Sequence, residues 1–351
     1  MPAMRPAEQV FVGIPGPELD SASAAMLARF QPGGVVLFKR NIKDEGQLNE
    51  LVVRLRKLLP EGVLSIDAEG GRVDRLKDVV GAAPPASLLA RHATSYSHQT
   101  GYWIAQALRL FDIDMDFAPV VDLDRGATDN ALDGRYLGAT VSDVVPRAQA
   151  FLRGLHGGGA AGCLKHFPGL GGAGEDTHFK TSVVYLPVEQ METDLEPFET
   201  LGRLAGAIMV SHAVYPAWDA HRPATLSPEI IGGVLRGRLG FDGLALSDDM
   251  EMKALDEWGD LPERCEIAFA AGCDVLLVCH TLEALPDIVA RLDRPELKER
   301  LSEANRRLEV FRQRLATLRT ARDYVAFMSQ SSHGERLDRV RQALEQLQAN
   351  A

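Results

Sequence analysis

Eight short runs of consecutive apolar residues recur along the chain, and a polar or glycine-rich turn follows each of them. The runs are Val10–Ile14, Gly34–Phe38, Val63–Ile66, Ile113–Val121, Ala160–Leu164, Ala207–Val210, Leu244–Leu246 and Val275–Cys279. Their aliphatic side chains are continuous rather than alternating, which is typical of strands that are buried on both faces. The pattern therefore predicts eight strands of a parallel sheet.

Amphipathic stretches between these runs provide the crossovers that parallel strands need. They include Glu45–Leu58, Tyr96–Arg109, Val144–His156, Pro228–Arg238 and Leu282–Arg291. Eight β–α alternations without a break in composition predict an α/β protein with a single (β/α)₈ barrel of the TIM type over residues 1–296. A doubly wound open sheet is the alternative, but the first run is followed by GPELDS and not by a GxGxxG turn.

Residues 297–351 follow the eighth unit and predict a helical extension. Two helical segments, Leu297–Met328 and Glu335–Leu347, are separated by SQSSHG. Leu301, Leu308 and Phe311 belong to one apolar stripe of the first segment. We expect this stripe to pack either on the barrel or on a dimer partner, so that the protein is a monomer or a homodimer.

Composition and charge narrow the classes of partner. The chain has 351 residues with 46% hydrophobic and 25% charged residues, as an ordinary globular protein has. Its formal net charge of -11 would repel a phosphate backbone, so we expect no nucleic-acid partner.

The N-terminus lacks the apolar segment of a signal peptide and no run of 18 apolar residues occurs, which predicts a cytoplasmic location without membrane contact. Four cysteines form no metal-binding pattern, so no metal site is expected.

Ionisable residues are concentrated directly after successive apolar runs. They are Asp67, Glu69, Arg72 and Arg75 after the third run, Asp122, Asp124 and Arg135 after the fourth, and Lys165, His166, Asp176 and His178 after the fifth. In a (β/α)₈ barrel the active site is built at the carboxyl ends of the strands. Charged side chains are rarely buried without a partner, so this crowding indicates a site rather than core packing. Lys, His, Arg and Asp groups of this kind suit a polyhydroxyl ligand.

The seventh run ends in the sequence Ser-Asp-Asp. Because side chains alternate along a strand, Asp248 and Asp249 should face in different directions. We expect one of them to enter the barrel mouth and the other to cap the following helix.

A glycine-rich segment after the fifth run carries a carboxylate and an imidazole two residues apart, Asp176 and His178. Its four glycines predict a flexible loop. The pair could be a general acid/base, with the carboxylate setting the tautomer and pKa of the imidazole. An exposed histidine beside a turn-forming aspartate remains the alternative. His212 in SHAVYP could line the same rim or make a structural hydrogen bond.

Taken together, IDAEGGRVDR, KHFPG followed by Asp-Thr-His, SHAVYP and SDDM resemble glycoside hydrolase family 3. Within it they are similar to the β-N-acetylhexosaminidases of peptidoglycan recycling. The resemblance covers about residues 8–280. It implies hydrolytic release of terminal β-linked N-acetylglucosamine from anhydro-muropeptides or chitooligosaccharides, without a cofactor or metal.

The same resemblance implies roles for individual residues. Asp248 would be the nucleophile of a retaining mechanism, and His178 would be the acid/base, paired with Asp176. The sugar-binding positions would be Asp67, Arg75, Arg135, Lys165 and His166. One departure is Leu170, which stands where many members have a second histidine.

Several alternatives remain open at this point. One is substrate-assisted hydrolysis, in which the 2-acetamido group attacks and Asp248–Asp249 act as a polarising pair. Others are a β-glucosidase-like or phosphorolytic member of the same family. A catalytically silent sugar-binding barrel is the alternative from a different class.

Overall fold

Parallel strand pairing runs around the molecule and closes on itself. The computed structural model describes residues 5–126, 131–173, 182–329 and 332–349. Its barrel strands are β1 Val10–Gly13, β2 Gly34–Leu37, β3 Val63–Ile66, β4 Met115–Asp116, β5 in two segments Ala161–Gly162 and Leu164–Phe167, β6 Ala207–Val210, β7 Leu244–Asp249 and β8 Val275–Val278. The first segment of β5 pairs with β4 and the second with β6, so the ring closes through a break at Cys163. This confirms the (β/α)₈ barrel over the open sheet.

Helices alternate with the strands and continue after the last one. They are α1 Ser21–Phe30, α2 Glu45–Leu58, α3 Thr94–Leu110, α4 Val141–Gly157, α5 Val188–Ala205, the π-helical α6 Glu229–Arg238, α7 Leu261–Ala271, α8 Leu285–Leu292, α9 Lys298–Leu318, α10 Arg322–Ser329 and α11 His333–Ala349. Side-chain oxygens of Asp20, Asp44 and Asp260 accept amide hydrogens at the starts of α1, α2 and α7.

Shorter helical turns and hairpins lie in the loops between these strands and helices. They are the helical turns Lys77–Val80 and Ala86–Leu89, the 3₁₀ turns Pro6–Gln9, Lys39–Asn41, Ala224–Leu226, Lys253–Trp258, Leu282–Ala284 and Pro295–Leu297, and two antiparallel hairpins, Ala68–Gly70 with Val73–Asp74 and Val214–Tyr215 with Asp219–Pro223. No helix in the described ranges is long and apolar enough to cross a membrane.

The fourth strand is much shorter than the apolar run that predicts it. Only Met115–Asp116 pairs regularly, although the run extends from Ile113 to Val121. Pro119 has no amide hydrogen to donate to a neighbouring strand. Pairing resumes beyond it, where the amide of Val121 donates to the carbonyl of Lys165 at 2.9 Å.

Helix α9 lies against the amino-terminal end of the barrel. Its Leu308, Phe311 and Leu315 belong to the same buried cluster as the inward-facing strand residues, among them Phe11 of β1. Ion pairs hold the helix there: Arg312 lies 2.7 Å from Glu8, Arg307 3.3 Å from Asp274 and Arg319 2.5 Å from Asp114. The helix therefore seals the layer of the barrel interior at the amino-terminal ends of the strands, which is called the lower layer below. The division of the chain into domains at residue 297 stays a prediction.

Candidate active site

The carboxyl ends of the strands surround a cavity of about 290 Å³ at the barrel mouth. Six of the eight predicted site residues line it: Asp67, Arg75, Arg135, Lys165, His166 and Asp248. Apolar side chains of Val36, Phe117 and Leu277 also contribute to its wall. The other two predicted residues, Asp176 and His178, lie outside the described residues.

Glu69 joins two of the predicted binding residues. Its carboxylate accepts two hydrogen bonds from the Arg135 guanidinium, from Nε at 2.8 Å and from Nη2 at 2.7 Å. Nζ of Lys165 lies 2.6 Å from Glu69 Oε1 and 2.8 Å from Asp67 Oδ1. Arg75 completes the chain of charges, with Nη2 3.4 Å from Asp67 Oδ2. The result is a ladder of alternating cations and carboxylates along one side of the cavity.

The contacts of this ladder keep Glu69 and Lys165 ionised in spite of burial. Desolvation by itself would raise the pKa of Glu69, but Lys165 and Arg135 outweigh it and hold that pKa well below its usual range. Burial would also lower the pKa of Lys165, and Asp67 and Glu69 raise it instead. These two groups are therefore fixed charges whose hydrogen-bonding roles do not change near neutral pH.

Asp122 fixes the position of His166 and of the chain after it. Oδ2 of Asp122 lies 2.7 Å from His166 Nδ1, and its two oxygens accept the His166 amide hydrogen at 3.1 and 3.2 Å. Oδ1 also accepts the amide hydrogen of Leu170 at 2.7 Å. Asp122 is 1% exposed, so these bonds are shielded from water. The side chain of Leu170 is itself buried, and it packs into the core.

Two glycines at the start of the glycine-rich loop are required by close contacts. A Cβ at Gly171 would lie 1.8 Å from the carbonyl oxygen of Leu123. Gly169 has φ +128°, and a Cβ there would meet Asp194 at 2.7 Å. At these two positions glycine permits tight packing, whereas the sequence suggested only flexibility.

Both aspartates at the end of β7 line the cavity, which corrects the expectation that only one of them enters the barrel mouth. The pairing of β7 with β8 shifts register between Leu246 and Asp249, so simple alternation does not hold there. Asp249 does not cap a helix either. Its Oδ1 accepts the amide hydrogen of Glu251 at 3.1 Å, and its Oδ2 lies 3.3 Å from His280 Nε2.

The backbone amide of Asp249 donates a hydrogen bond to Oδ1 of Asp248 at 2.8 Å. Asp248 is partly buried and belongs to the same cavity as the ladder of charges. A carboxylate held in this way at a barrel mouth can attack an electrophilic carbon or stabilise a developing positive charge.

His212 does not line the cavity. It follows β6, is 1% exposed and is hydrogen-bonded to Thr225 and to the carbonyl of Asp249. The sequence left open whether His212 lines the rim or makes a structural hydrogen bond, and the structure supports the hydrogen bond.

Sequence reasoning assigned no role to three residues that shape the site: Glu69, Asp122 and His280. The first two are ionisable residues just after apolar runs, Glu69 after the third and Asp122 after the fourth, which is a usable signal. His280 follows β8 and lines the cavity, and its hydrogen bond with Asp249 raises its pKa above the ordinary value. Within the described residues, no group of three or more His, Cys, Asp and Glu side chains is arranged to hold a metal ion.

Residues 8–310 match the family model described as the glycosyl hydrolase family 3 N terminal domain. The chain belongs to glycosyl hydrolase family 3. Its relatives include a β-hexosaminidase of Tolumonas auensis, 36% identical over 294 residues that cover 82% of this chain and 87% of the relative. A β-hexosaminidase of Stenotrophomonas maltophilia is 37% identical over 281 residues, which cover 77% and 83% of the two chains.

Solved structures of family 3 proteins have the same fold. NagZ from Neisseria gonorrhoeae, in complex with N-trifluoroacetyl-D-glucosamine, superposes with a TM-score of 0.79 at 30% identity over 97% of this chain and 98% of the other. A family 3 β-N-acetylglucosaminidase from Paenibacillus superposes with a TM-score of 0.85 at 28% identity, over 97% of this chain and 68% of the other. These comparisons confirm the predicted family and the predicted enzyme class, a glycoside hydrolase of the β-N-acetylhexosaminidase type.

Proposed function

We propose that this family 3 enzyme releases terminal β-linked N-acetylglucosamine with retention of configuration, from anhydro-muropeptides or chitooligosaccharides. The observation that carries the proposal is the single cavity that Asp248 shares with Asp67, Arg75, Arg135, Lys165 and His166. A cytoplasmic location and a monomeric or homodimeric state remain predictions from the sequence.

The ladder of charges suits the binding of a sugar. Asp67, Lys165 and Arg135 offer charged donors and acceptors to the cavity, which bind sugar hydroxyl groups through strong hydrogen bonds. Glu69 holds Lys165 and Arg135 in place. The volume of the cavity, about 290 Å³, is at the lower end of the range for small-molecule sites, as expected for one sugar ring. The N-trifluoroacetyl-D-glucosamine complex of the Neisseria relative supports an N-acylated glucosamine as that sugar.

In the proposed first step, the Asp248 carboxylate attacks the anomeric carbon while the glycosidic C–O bond breaks. His178 gives its proton to the leaving oxygen. In the second step a water molecule attacks the same carbon, His178 accepts the proton of that water, and the bond to Asp248 breaks. The roles of His178 and Asp176 rest on the family motif, because both residues lie outside the described part of the chain.

Hydrolysis of a chromogenic β-N-acetylglucosaminide by the purified protein tests the activity, with the corresponding β-glucoside as the comparison. We expect Asp248→Ala to lose several orders of magnitude in kcat, and His178→Ala to lose about 10²–10⁴-fold, the usual contribution of a general acid/base. Unchanged activity of His178→Ala would contradict the assigned acid/base. Absence of hydrolysis by the parent, with sugar binding that survives Asp248→Asn, would instead support a silent sugar-binding barrel.

Substrate-assisted hydrolysis stays a distinct candidate because Asp249 also lines the cavity. Trapping with a 2-deoxy-2-fluoro glycoside separates the two routes. A stable adduct on Asp248 supports the covalent mechanism. Absence of an adduct, in an enzyme that still hydrolyses the β-N-acetylglucosaminide, supports attack by the 2-acetamido group. Product analysis with and without phosphate distinguishes hydrolysis from phosphorolysis.

A further inference from the structure

His212 is a buried imidazole to which the proposed reaction gives no role. It follows β6, is 1% exposed and is hydrogen-bonded through both ring nitrogens. Nε2 lies 2.9 Å from the carbonyl oxygen of Asp249, and Nδ1 lies 2.7 Å from the hydroxyl oxygen of Thr225. A side chain in the SHAVYP segment thus contacts the backbone of the residue that follows Asp248.

The partners of His212 determine which nitrogen carries the proton. A carbonyl oxygen can only accept, so Nε2 must donate to Asp249. The hydrogen of the Thr225 hydroxyl faces three acceptors, which are Nδ1 of His212 and the carbonyl oxygens of Ser211 at 2.6 Å and of Val210 at 3.2 Å. Burial lowers the pKa of His212 although the charge of Asp248 opposes it, which agrees with a neutral ring in the Nε2–H form.

Asp249 is held at both of its peptide groups. Its amide hydrogen is donated to Oδ1 of Asp248 at 2.8 Å, and its carbonyl oxygen accepts the hydrogen of His212. The register shift between Leu246 and Asp249 interrupts regular sheet pairing at this point. The bond from His212 therefore supports the strand where the sheet itself supports it less.

We propose that His212 is a positioning residue for the Asp248 carboxylate, which it orients through the peptide groups of Asp249. The proposal rests on the proposed function, in which Asp248 is the nucleophile. His212 touches neither the cavity nor the ladder of charges that would bind the sugar. Its loss should therefore slow the steps in which Asp248 forms or breaks a bond, and should leave sugar binding unchanged.

The test compares His212→Leu, His212→Gln and His212→Asn in the full chain. Gln can place an amide N–H near the position of Nε2, whereas Asn is shorter and places it near Nδ1. We expect His212→Leu to lower kcat for a chromogenic β-N-acetylglucosaminide by about 10²-fold, the scale of a misplacement near 1 Å. His212→Gln should recover most of this loss and His212→Asn should not. The dissociation constant of N-acetylglucosamine, measured by calorimetry, should stay within a few-fold for all three.

His156→Leu is the matched control, because it removes another imidazole that does not line the cavity, and its kcat should be unchanged. Wild-type kcat in His212→Leu, or equal rescue by Gln and Asn, would overturn the proposal. If His212→Leu does not fold, the comparison of Gln with Asn still decides it. Undiminished hydrolysis by Asp248→Asn would instead refute the proposed function, irrespective of the His212 variants.

Discussion

The carboxylate of Glu69 lies 2.6 Å from the ammonium group of Lys165, and both side chains are almost fully buried. Arg135 contacts the same carboxylate through two nitrogens. One acidic residue therefore neutralises two of the cations that line the cavity. Removing it would leave two buried positive charges with fewer partners, which costs far more than loss of an exposed ion pair.

Glu69→Gln should consequently lower both stability and activity. We expect a loss of about 3–5 kcal/mol in the free energy of unfolding, measured by urea denaturation, because a buried pair loses one charged member. The value of kcat/KM should fall as well, since Lys165 and Arg135 lose their orientation. The exposed Glu199→Gln is the control. Wild-type stability in Glu69→Gln would mean that the ladder of charges is not intact in solution.

Asp122→Asn tests the support of His166. An amide has only one acceptor oxygen, so the hydrogen bonds to His166 and Leu170 cannot all be kept. Each bond to a charged acceptor contributes about 1.5–3 kcal/mol, so the loss of one predicts a rise in KM of roughly tenfold or more. Steady-state kinetics on a β-N-acetylglucosaminide measure it. Asp124→Asn, at an exposed position two residues away, should behave as the parent does.

Phe311→Ala tests whether α9 seals the barrel in solution. The ring is 2% exposed within the cluster of inward-facing strand residues, and its removal leaves a cavity there. We expect a loss of about 3–5 kcal/mol in the free energy of unfolding, with kcat retained in the protein that stays folded. The neighbouring Val310→Ala is the control, because Val310 is 54% exposed on the same helix. Equal effects of the two variants would exclude the sealing role.

His156 should make stability fall in mild acid. Burial, with a smaller effect from Arg314, lowers its pKa from 6.5 to about 4. The unfolded chain therefore takes up a proton before the folded protein does. Stability is fully present above pH 6.5 and declines as the pH falls towards 4. Urea denaturation at pH 7 and at pH 4.5 should show a smaller decline for His156→Gln than for the parent. The exposed His221→Gln should retain the parental decline, and an unchanged decline in His156→Gln would refute the assignment.

Strand positions could be predicted from the sequence because strands buried on both faces need continuous apolar runs. The helix predicted over Glu45–Leu58 has the observed bounds, since its apolar positions face one side and Asp44 caps it. The fourth strand could not be predicted at its true length, because pairing depends on neighbouring strands as well as on hydrophobicity. The π-helical winding of Glu229–Arg238 likewise leaves no mark in an apolar pattern.

Convergence of charged residues at the barrel mouth could be predicted, because all parallel strands present their carboxyl ends on one side. The contacts among them could not. Glu69 becomes a shared partner only because β3, β4 and β5 bring Lys165 and Arg135 to it. The expectation that only one of Asp248 and Asp249 enters the barrel mouth was wrong, because it assumed regular alternation where the sheet shifts register. No feature of the two residues themselves signals that shift.

Phe11 and Phe311 belong to one buried cluster although they stand near opposite ends of the chain. During synthesis on the ribosome, the lower layer of the barrel must therefore stay open to water until helix α9 has emerged. Contacts between such distant segments form slowly in folding. A chain that stops before α9 would carry all eight strands and the binding residues of the mouth, yet it would expose the apolar underside of its own barrel.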